Sequence, residues 1–137
     1  MAFVRKRGKV KTIHLPVTPS TALTLNTIVK FSSGKLIAAT TGDGPTGLIG
    51  LVKKTIASTD SDYASDRLVP VEVPVEKHVE YELAVDGNLA ATDLGTEYDL
   101  QDAGTVDHDA TTDKIFLITK YISATKAWGF IKFNGSY

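Results

Sequence analysis

The sequence predicts an all-β protein, a small antiparallel β-sandwich or β-barrel with an extended basic arm at its N-terminus. Nine or ten short runs have the composition of strands. Turn signals separate these runs at roughly the 8–12-residue spacing that is typical of antiparallel sandwiches and barrels. No run has the 3.6-residue periodicity of an amphipathic helix. A chain of 137 residues is long enough for one domain with a sizeable core.

Charge is distributed unevenly along the chain. Residues 1–42 contain seven basic residues and no acid, residues 43–113 contain all sixteen acids and four basic residues, and residues 114–137 contain four lysines and no acid. Such a chain can pair its ends with its middle, pair with copies of itself, or extend a basic arm to an acidic partner. We interpret residues 1–20 as an extended arm and linker, and residues 21–137 as a single β-domain. The candidate partner-binding residues of the arm are Arg5, Lys6, Arg7, Lys9 and Lys11.

The arm suits an acidic protein surface better than nucleic acid. Its basic cluster is short, Phe3 is the one aromatic residue beside it, and the acidic body would repel phosphate. A frayed terminus kept soluble by its charge is the alternative interpretation. We expect no nucleic-acid partner. We also expect no membrane partner, because no apolar run approaches the ~20 residues that a membrane span needs.

An opening hairpin follows the arm. Before it, residues 10–17 could form a first strand that ends at the prolines. Residues 21–31 and 36–40 flank a Ser-Ser-Gly turn and predict two paired strands. After a glycine-rich loop, residues 48–54 predict a short buried strand.

The central stretch, residues 71–85, has the strongest pattern in the chain. Apolar residues occupy one parity and four glutamates with one histidine occupy the other, which predicts a β conformation with one apolar and one acidic face. Because the stretch is too long for one strand, it predicts two strands, or one strand bent near residues 74–77. Pro70 and Pro74 lack ladder donors, so the stretch lies at a sheet edge or bends there. A possible edge for strand addition is therefore formed by Val71, Val73 and Val75.

The second half of the chain predicts further strands. Asp86-Gly87-Asn88 is a strong turn signal, and residues 94–100 predict a turn and a short strand. Residues 101–112 are interpreted as an acidic loop. Residues 114–122 and 128–133 predict a closing pair of strands.

The motifs of common catalytic and metal sites are missing. The chain has no cysteine, no HExxH, no nucleophile elbow and no phosphate-binding loop. Two acidic loops contain carboxylates that could ligate a metal ion. The first lacks the EF-hand pattern, and in the second the candidate ligands are consecutive residues, which rarely converge on one ion. We expect no catalytic residue, no metal site and no cofactor. The acidic loops contain Asp60, Asp62 and Asp66, and Asp107, His108 and Asp109.

The order of the segments resembles the small β-rich head decoration (cement) proteins of tailed bacteriophages. The resemblance covers roughly residues 21–133 and is one of order and turn chemistry. The segments that carry it are LTLNTIVKFSSGKLIAAT, GLIGLVKK, LVPVEVPVE, GTEYDLQDAGTVD and KIFLITKYISATKAWGFIKF.

The resemblance implies a non-enzymatic structural protein that binds the outer surface of the assembled capsid and stabilises the head by clamping neighbouring capsomers. The implied partner is the major capsid protein. The implied location is the outer capsid surface of a virion assembled in the infected bacterial cytoplasm. Many members of the family bind as trimers, so we expect a homo-oligomer, with a trimer favoured. The family provides no universal binding residue that transfers to this chain.

Two other functions remain open. The first is a carbohydrate- or receptor-binding β-sandwich module, for which Tyr63, Tyr98 and Trp128 are the candidate exposed aromatic residues. The second is a tail or head–tail connector subunit, which would assemble into tubes or rings without a capsid.

Overall fold

Two β-sheets build the molecule in the computed structural model, which describes residues 2–133. The all-β prediction is confirmed, since about half of the chain is strand and two short 3₁₀ turns (Pro45–Gly47 and Ala91–Asp93) are the helical elements of the described part. No helix within residues 2–133 has the length and apolar character to cross a bilayer. The strands are β1 (Val4–Arg7), β2 (Val10–Val17), β3 (Ile28–Ser32), β4 (Lys35–Ala38), β5 (Leu48–Val52), β6 (Arg67–Pro74), β7 (Glu80–Ala84), β8 (Glu97–Asp102), β9 (Thr105–Asp107), β10 (Phe116–Ser123) and β11 (Lys126–Ile131).

One sheet is a closed barrel and the other is an open antiparallel sheet. The barrel has the strand order β2-β4-β3-β5-β6 and closes through the pairing of β2 with β6. Its β2–β4 contact is parallel, and its other pairs are antiparallel. The second sheet has the order β1-β7-β11-β10-β8-β9. The sequence left a sandwich and a barrel open, and the structure combines a barrel with a packed sheet.

Two hydrophobic cores follow from the alternation of side chains along the barrel strands. Val29 and Val52 point into the barrel and belong to its interior core. Their neighbours Ile28 and Leu51 point outwards and join a second core between the barrel and the open sheet. Tyr81 of the open sheet is fully buried in this second core.

The central stretch forms two strands, as predicted. Strand β6 ends at Pro74 in the barrel, and β7 begins at Glu80 in the open sheet. His78 lies between them with a φ of 62°, which marks the turn that separates the two strands. The central stretch is therefore the connection that carries the chain from one sheet to the other.

The prediction that this stretch offers a free edge at Val71, Val73 and Val75 is wrong. Strand β6 pairs with β2 along its whole length, and Val75 N donates to the Lys9 carbonyl at 3.0 Å. On its other side, Val71 pairs with β5.

Strand β6 tolerates its two prolines because their missing N–H groups would face β5 and not β2. The Pro70 carbonyl accepts a hydrogen bond from Lys53 N at 2.9 Å, so Pro70 directs its backbone groups towards β5. Pro74 has the same parity and faces the same way. Pairing on that side is short, whereas the longer ladder to β2 keeps its donors.

The prediction of an extended N-terminal arm is also wrong, because residues 4–7 and 10–17 form β1 and β2. Phe3 is fully buried in the core between the two layers, 5.3 Å from Phe116 between ring centroids. Its backbone N donates to the Asn26 carbonyl at 3.0 Å. An apolar anchor ahead of the basic residues therefore holds them in the open sheet.

One strand was missed in the segment interpreted as an acidic loop, residues 101–112, where β9 pairs with β8. The return from β9 to β10 is organised by Asp99, which is 6% exposed. Its carboxylate accepts backbone N–H bonds from Asp113 at 2.7 Å, Lys114 at 2.8 Å and Thr112 at 3.1 Å.

We predict that Asp99→Ala lowers the free energy of unfolding by roughly 3 kcal/mol, because it leaves three partly buried backbone donors without their charged acceptor. Urea unfolding followed by circular dichroism measures the change. Asp109→Ala is the control, since the Asp109 side chain is 80% exposed. Equal stability of the two variants would contradict the role of Asp99.

Candidate partner-binding face

The outer side of the open sheet bears a cluster that we call the basic–aromatic face. On β11, Ala127 and Gly129 are buried, so Trp128 between them projects from the opposite, outer side. Cations from three strands surround its half-buried ring. The basic–aromatic face consists of Lys6, Arg7, Lys120, Lys126 and Trp128.

A β-bulge places two consecutive basic residues on this side. Arg5 pairs with Tyr81 and Arg7 pairs with Glu80, which leaves Lys6 as the extra residue in β1. A regular strand would send Lys6 and Arg7 to opposite sides. The bulge allows both to reach the same aromatic ring.

The three cations nearest to Trp128 lie within cation–π range of its indole. Lys120 Nζ is 4.6 Å from the ring centroid, Arg7 Cζ is 5.7 Å away, and Lys6 Nζ is 5.8 Å away. The ring contributes attraction that partly offsets the repulsion between the cations.

Two glutamates of β7 neutralise part of this charge. Arg7 Nε donates to Glu80 Oε1 at 2.5 Å, and Lys6 Nζ lies 3.3 Å from Glu82 Oε2. Lys126 Nζ lies 3.6 Å from the other Glu82 oxygen. Within residues 2–133, Lys120 has no carboxylate in ion-pair range. Four cations against two carboxylates leave the face with two positive charges in excess.

The five predicted arm residues are divided between different parts of the fold. Lys6 and Arg7 lie on the basic–aromatic face. Arg5 points to the other side of the sheet, Lys9 lies in the β1–β2 connection and donates its backbone N to Glu76, and Lys11 is exposed on barrel strand β2. The structure therefore does not bring the five together as one surface.

Arg5 pairs the basic segment with the acidic middle of the chain. Its Nε lies 3.7 Å from Glu72 Oε1, and Lys53 Nζ lies 3.7 Å from Glu72 Oε2. Nearby, the Tyr81 hydroxyl is buried and has no hydrogen-bond partner among the described residues. Burial, and secondly the negative charge of Glu72, raises the pKa of Tyr81 well above its usual value. The phenol is therefore neutral at any physiological pH.

Sequence reasoning missed Lys120 and Lys126 as members of a surface, and it named Trp128 only as a candidate exposed aromatic residue of a carbohydrate- or receptor-binding module. Residues 114–137 contain four lysines and no acid, which was a signal that this end of the chain is cationic. Of the aromatic residues of the closing strands, Phe133 is buried in the core, whereas Trp128 is only half-buried.

Three carboxylates at the surface come close together at the far end of β7. Asp86, Asp107 and Asp109 have ligand oxygens within 4.8 Å of one another. Asp86 Oδ1 already accepts a backbone bond from His108 at 3.0 Å, and Asp107 Oδ1 accepts one from Asp109 at 2.9 Å. These bonds account for the arrangement of the loop, and we assign no ion to it.

The aromatic residues proposed for a glycan site do not form one surface. Tyr98 is 4% exposed, with its ring centroid 5.1 Å from that of His108. Tyr63 is half-buried against the barrel core. Trp128 is the one of the three that lies among polar side chains on the outer side of the open sheet.

No protein-family model matches the chain, and no curated protein matches it. The strand topology and the cations around Trp128 define an all-β protein with a cationic, tryptophan-centred surface.

Proposed function

We propose that the chain is a non-enzymatic structural protein of a tailed-phage virion. It binds the outer surface of the assembled head and stabilises it by clamping neighbouring capsomers. The segment order described above supports this proposal. The observation that carries it is the basic–aromatic face, a cationic surface that can bind an acidic protein lattice.

The strength of such an attachment comes from repetition. One exposed ion pair contributes roughly 0.2–1 kcal/mol, so the few pairs of one face hold a single copy only weakly. A homo-oligomer, with a trimer favoured, multiplies these contacts, and linked contacts raise the overall affinity by avidity. The partner in this proposal is the major capsid protein.

Co-sedimentation with empty, expanded phage heads tests the proposal. We expect saturable binding at a fixed ratio to the major capsid protein. We also expect binding to weaken between about 0.1 and 1 M salt, because the screening length falls from about 10 to 3 Å.

Absence of binding at low salt, together with a monodisperse monomer in solution, would contradict the proposal. The position of Trp128 would then favour a carbohydrate- or receptor-binding module, because a partly exposed aromatic ring among polar groups suits a sugar. Binding of the isolated chain on a glycan array would establish that second function. Spontaneous tubes or rings would instead indicate a tail or connector subunit.

A further inference from the structure

We infer that the basic–aromatic face binds an extended acidic peptide segment that also presents an apolar side chain. The inference rests on the proposed function in one respect, because the segment would belong to the capsid protein. It goes further by naming the chemistry of the bound group. Three observations on the face support it.

The first observation is the uncompensated charge. Lys6, Arg7 and Lys126 each have a carboxylate within ion-pair distance, whereas Lys120 has none among the described residues. The Lys120 ammonium lies over the Trp128 indole, 4.6 Å from the ring centroid, so its charge is offset by the ring and not by a carboxylate. Two positive charges in excess match a ligand with two or three carboxylates.

The second observation is the alternation of charge. Glu80 and Glu82 lie among the cations of the face, and Glu76 lies near its margin, where it accepts the Lys9 backbone N. A phosphodiester chain has a negative charge at every unit and would be repelled by these carboxylates. A peptide can place its carboxylates beside the cations and keep neutral groups opposite the glutamates. The face is therefore selective for an acidic peptide over a nucleic acid.

The third observation is the apolar surface between the charges. Val4 and Trp128 are the register partners of Glu82 on its two sides, so all three lie on the same side of the sheet. Val4 is 43% exposed. An apolar residue of the ligand can cover Trp128 while its neighbours reach the cations. Aromatic rings flanked by charged groups are typical anchors of protein interfaces.

Trp128 fluorescence tests the inference directly, because it is the sole tryptophan of the chain. The probe is a capped six-residue peptide with three glutamates, one phenylalanine and two serines. The comparison peptide has glutamine at the three glutamate positions. We expect saturable binding of the acidic peptide to the full chain, and binding of the glutamine peptide that is roughly five- to tenfold weaker.

A matched pair of variants locates the binding. Lys120→Gln should weaken the binding of the acidic peptide about two- to fivefold. Lys54→Gln removes the same charge from an exposed residue on the barrel side and should leave the affinity unchanged. Circular dichroism confirms that both variants are folded.

Several results would overturn the inference. They are equal binding of the two peptides, equal affinity of Lys120→Gln and the wild type, or tighter binding of a thymidine hexanucleotide than of the acidic peptide. Head binding that persists without any peptide binding would overturn this inference and leave the proposed function intact. Peptide binding without head binding would support the site and contradict the proposed function.

Discussion

Replacing Phe3 by alanine is expected to lower the free energy of unfolding by roughly 3–5 kcal/mol, as for other fully buried phenylalanines. Phe3 has no exposed surface and packs against Phe116 in the core between the two layers. Alanine would leave a cavity there and loosen the segment that leads into β1. Urea unfolding monitored by Trp128 fluorescence measures the change.

The chain offers a control with the same substitution. Phe31 is 42% exposed at the end of β3, so Phe31→Ala should change the free energy of unfolding by less than about 1 kcal/mol. If Phe3→Ala were no more destabilising than Phe31→Ala, the N-terminal segment would lie outside the fold. Strand β1, with its basic residues, would then be an extended arm, as the sequence predicted.

Gly129→Ala is expected to destabilise the open sheet by roughly 3 kcal/mol. A Cβ atom at this position would lie 2.2 Å from the Leu117 carbonyl oxygen and 2.8 Å from Leu83 Cδ1. The oxygen belongs to the backbone of β10, which pairs with β11, so it cannot move without disrupting the ladder. Because Gly129 follows Trp128, we also expect a shift in the tryptophan emission maximum.

Gly47→Ala is the matched control for this substitution. A Cβ atom at Gly47 would meet nothing within 4 Å. We therefore expect a change of less than about 0.5 kcal/mol and an unchanged emission spectrum. Similar stability of the two alanine variants would show that β10 and β11 are not in the close register described above.

Local patterns were sufficient to predict most strands. The alternation between Val71 and Val85 predicted two strands, and the Ser-Ser-Gly turn predicted the β3–β4 hairpin. Both signals come from neighbouring residues, since alternation reports which side chains share a face and a turn reports where the chain reverses. Strand β9 was not predicted, because a strand of three residues is too short to show a periodic pattern.

Long-range pairing could not be predicted from the same patterns. Phe3 looked like one aromatic residue in a charged tail, because its partner Phe116 is near the other end of the chain. The prolines of β6 predicted a sheet edge, but the barrel is closed and their missing donors face β5, where the pairing is short. Which neighbour a missing donor faces depends on the strand order, and the sequence does not contain that order explicitly.

The sequence predicted only part of the basic–aromatic face. Lys6 and Arg7 were recognised from the run of basic residues at the N-terminus. Their meeting with Lys120 and Trp128 was not predicted, because those residues meet β1 only through the order β1-β7-β11-β10. Of the three explanations offered for the uneven charge, the structure shows pairing of the basic end with the acidic middle, most clearly between Arg5 and Glu72.

The central claim is that a localised cationic face, and not the net charge of the chain, attaches this protein to its partner. Occupancy on empty heads should be compared for two triple variants with the same change in charge. The face variant replaces three cations around Trp128, and the control variant replaces three exposed lysines elsewhere. Thermal unfolding confirms that both are folded. The face variant is Lys6→Gln, Arg7→Gln and Lys120→Gln, and the control is Lys9→Gln, Lys11→Gln and Lys54→Gln.

We expect the face variant to lose most of its occupancy at low salt and to show little further dependence on salt. The control variant should bind nearly as well as the wild-type chain. Equal occupancy of the two variants, whether both bind or both fail, would contradict the claim.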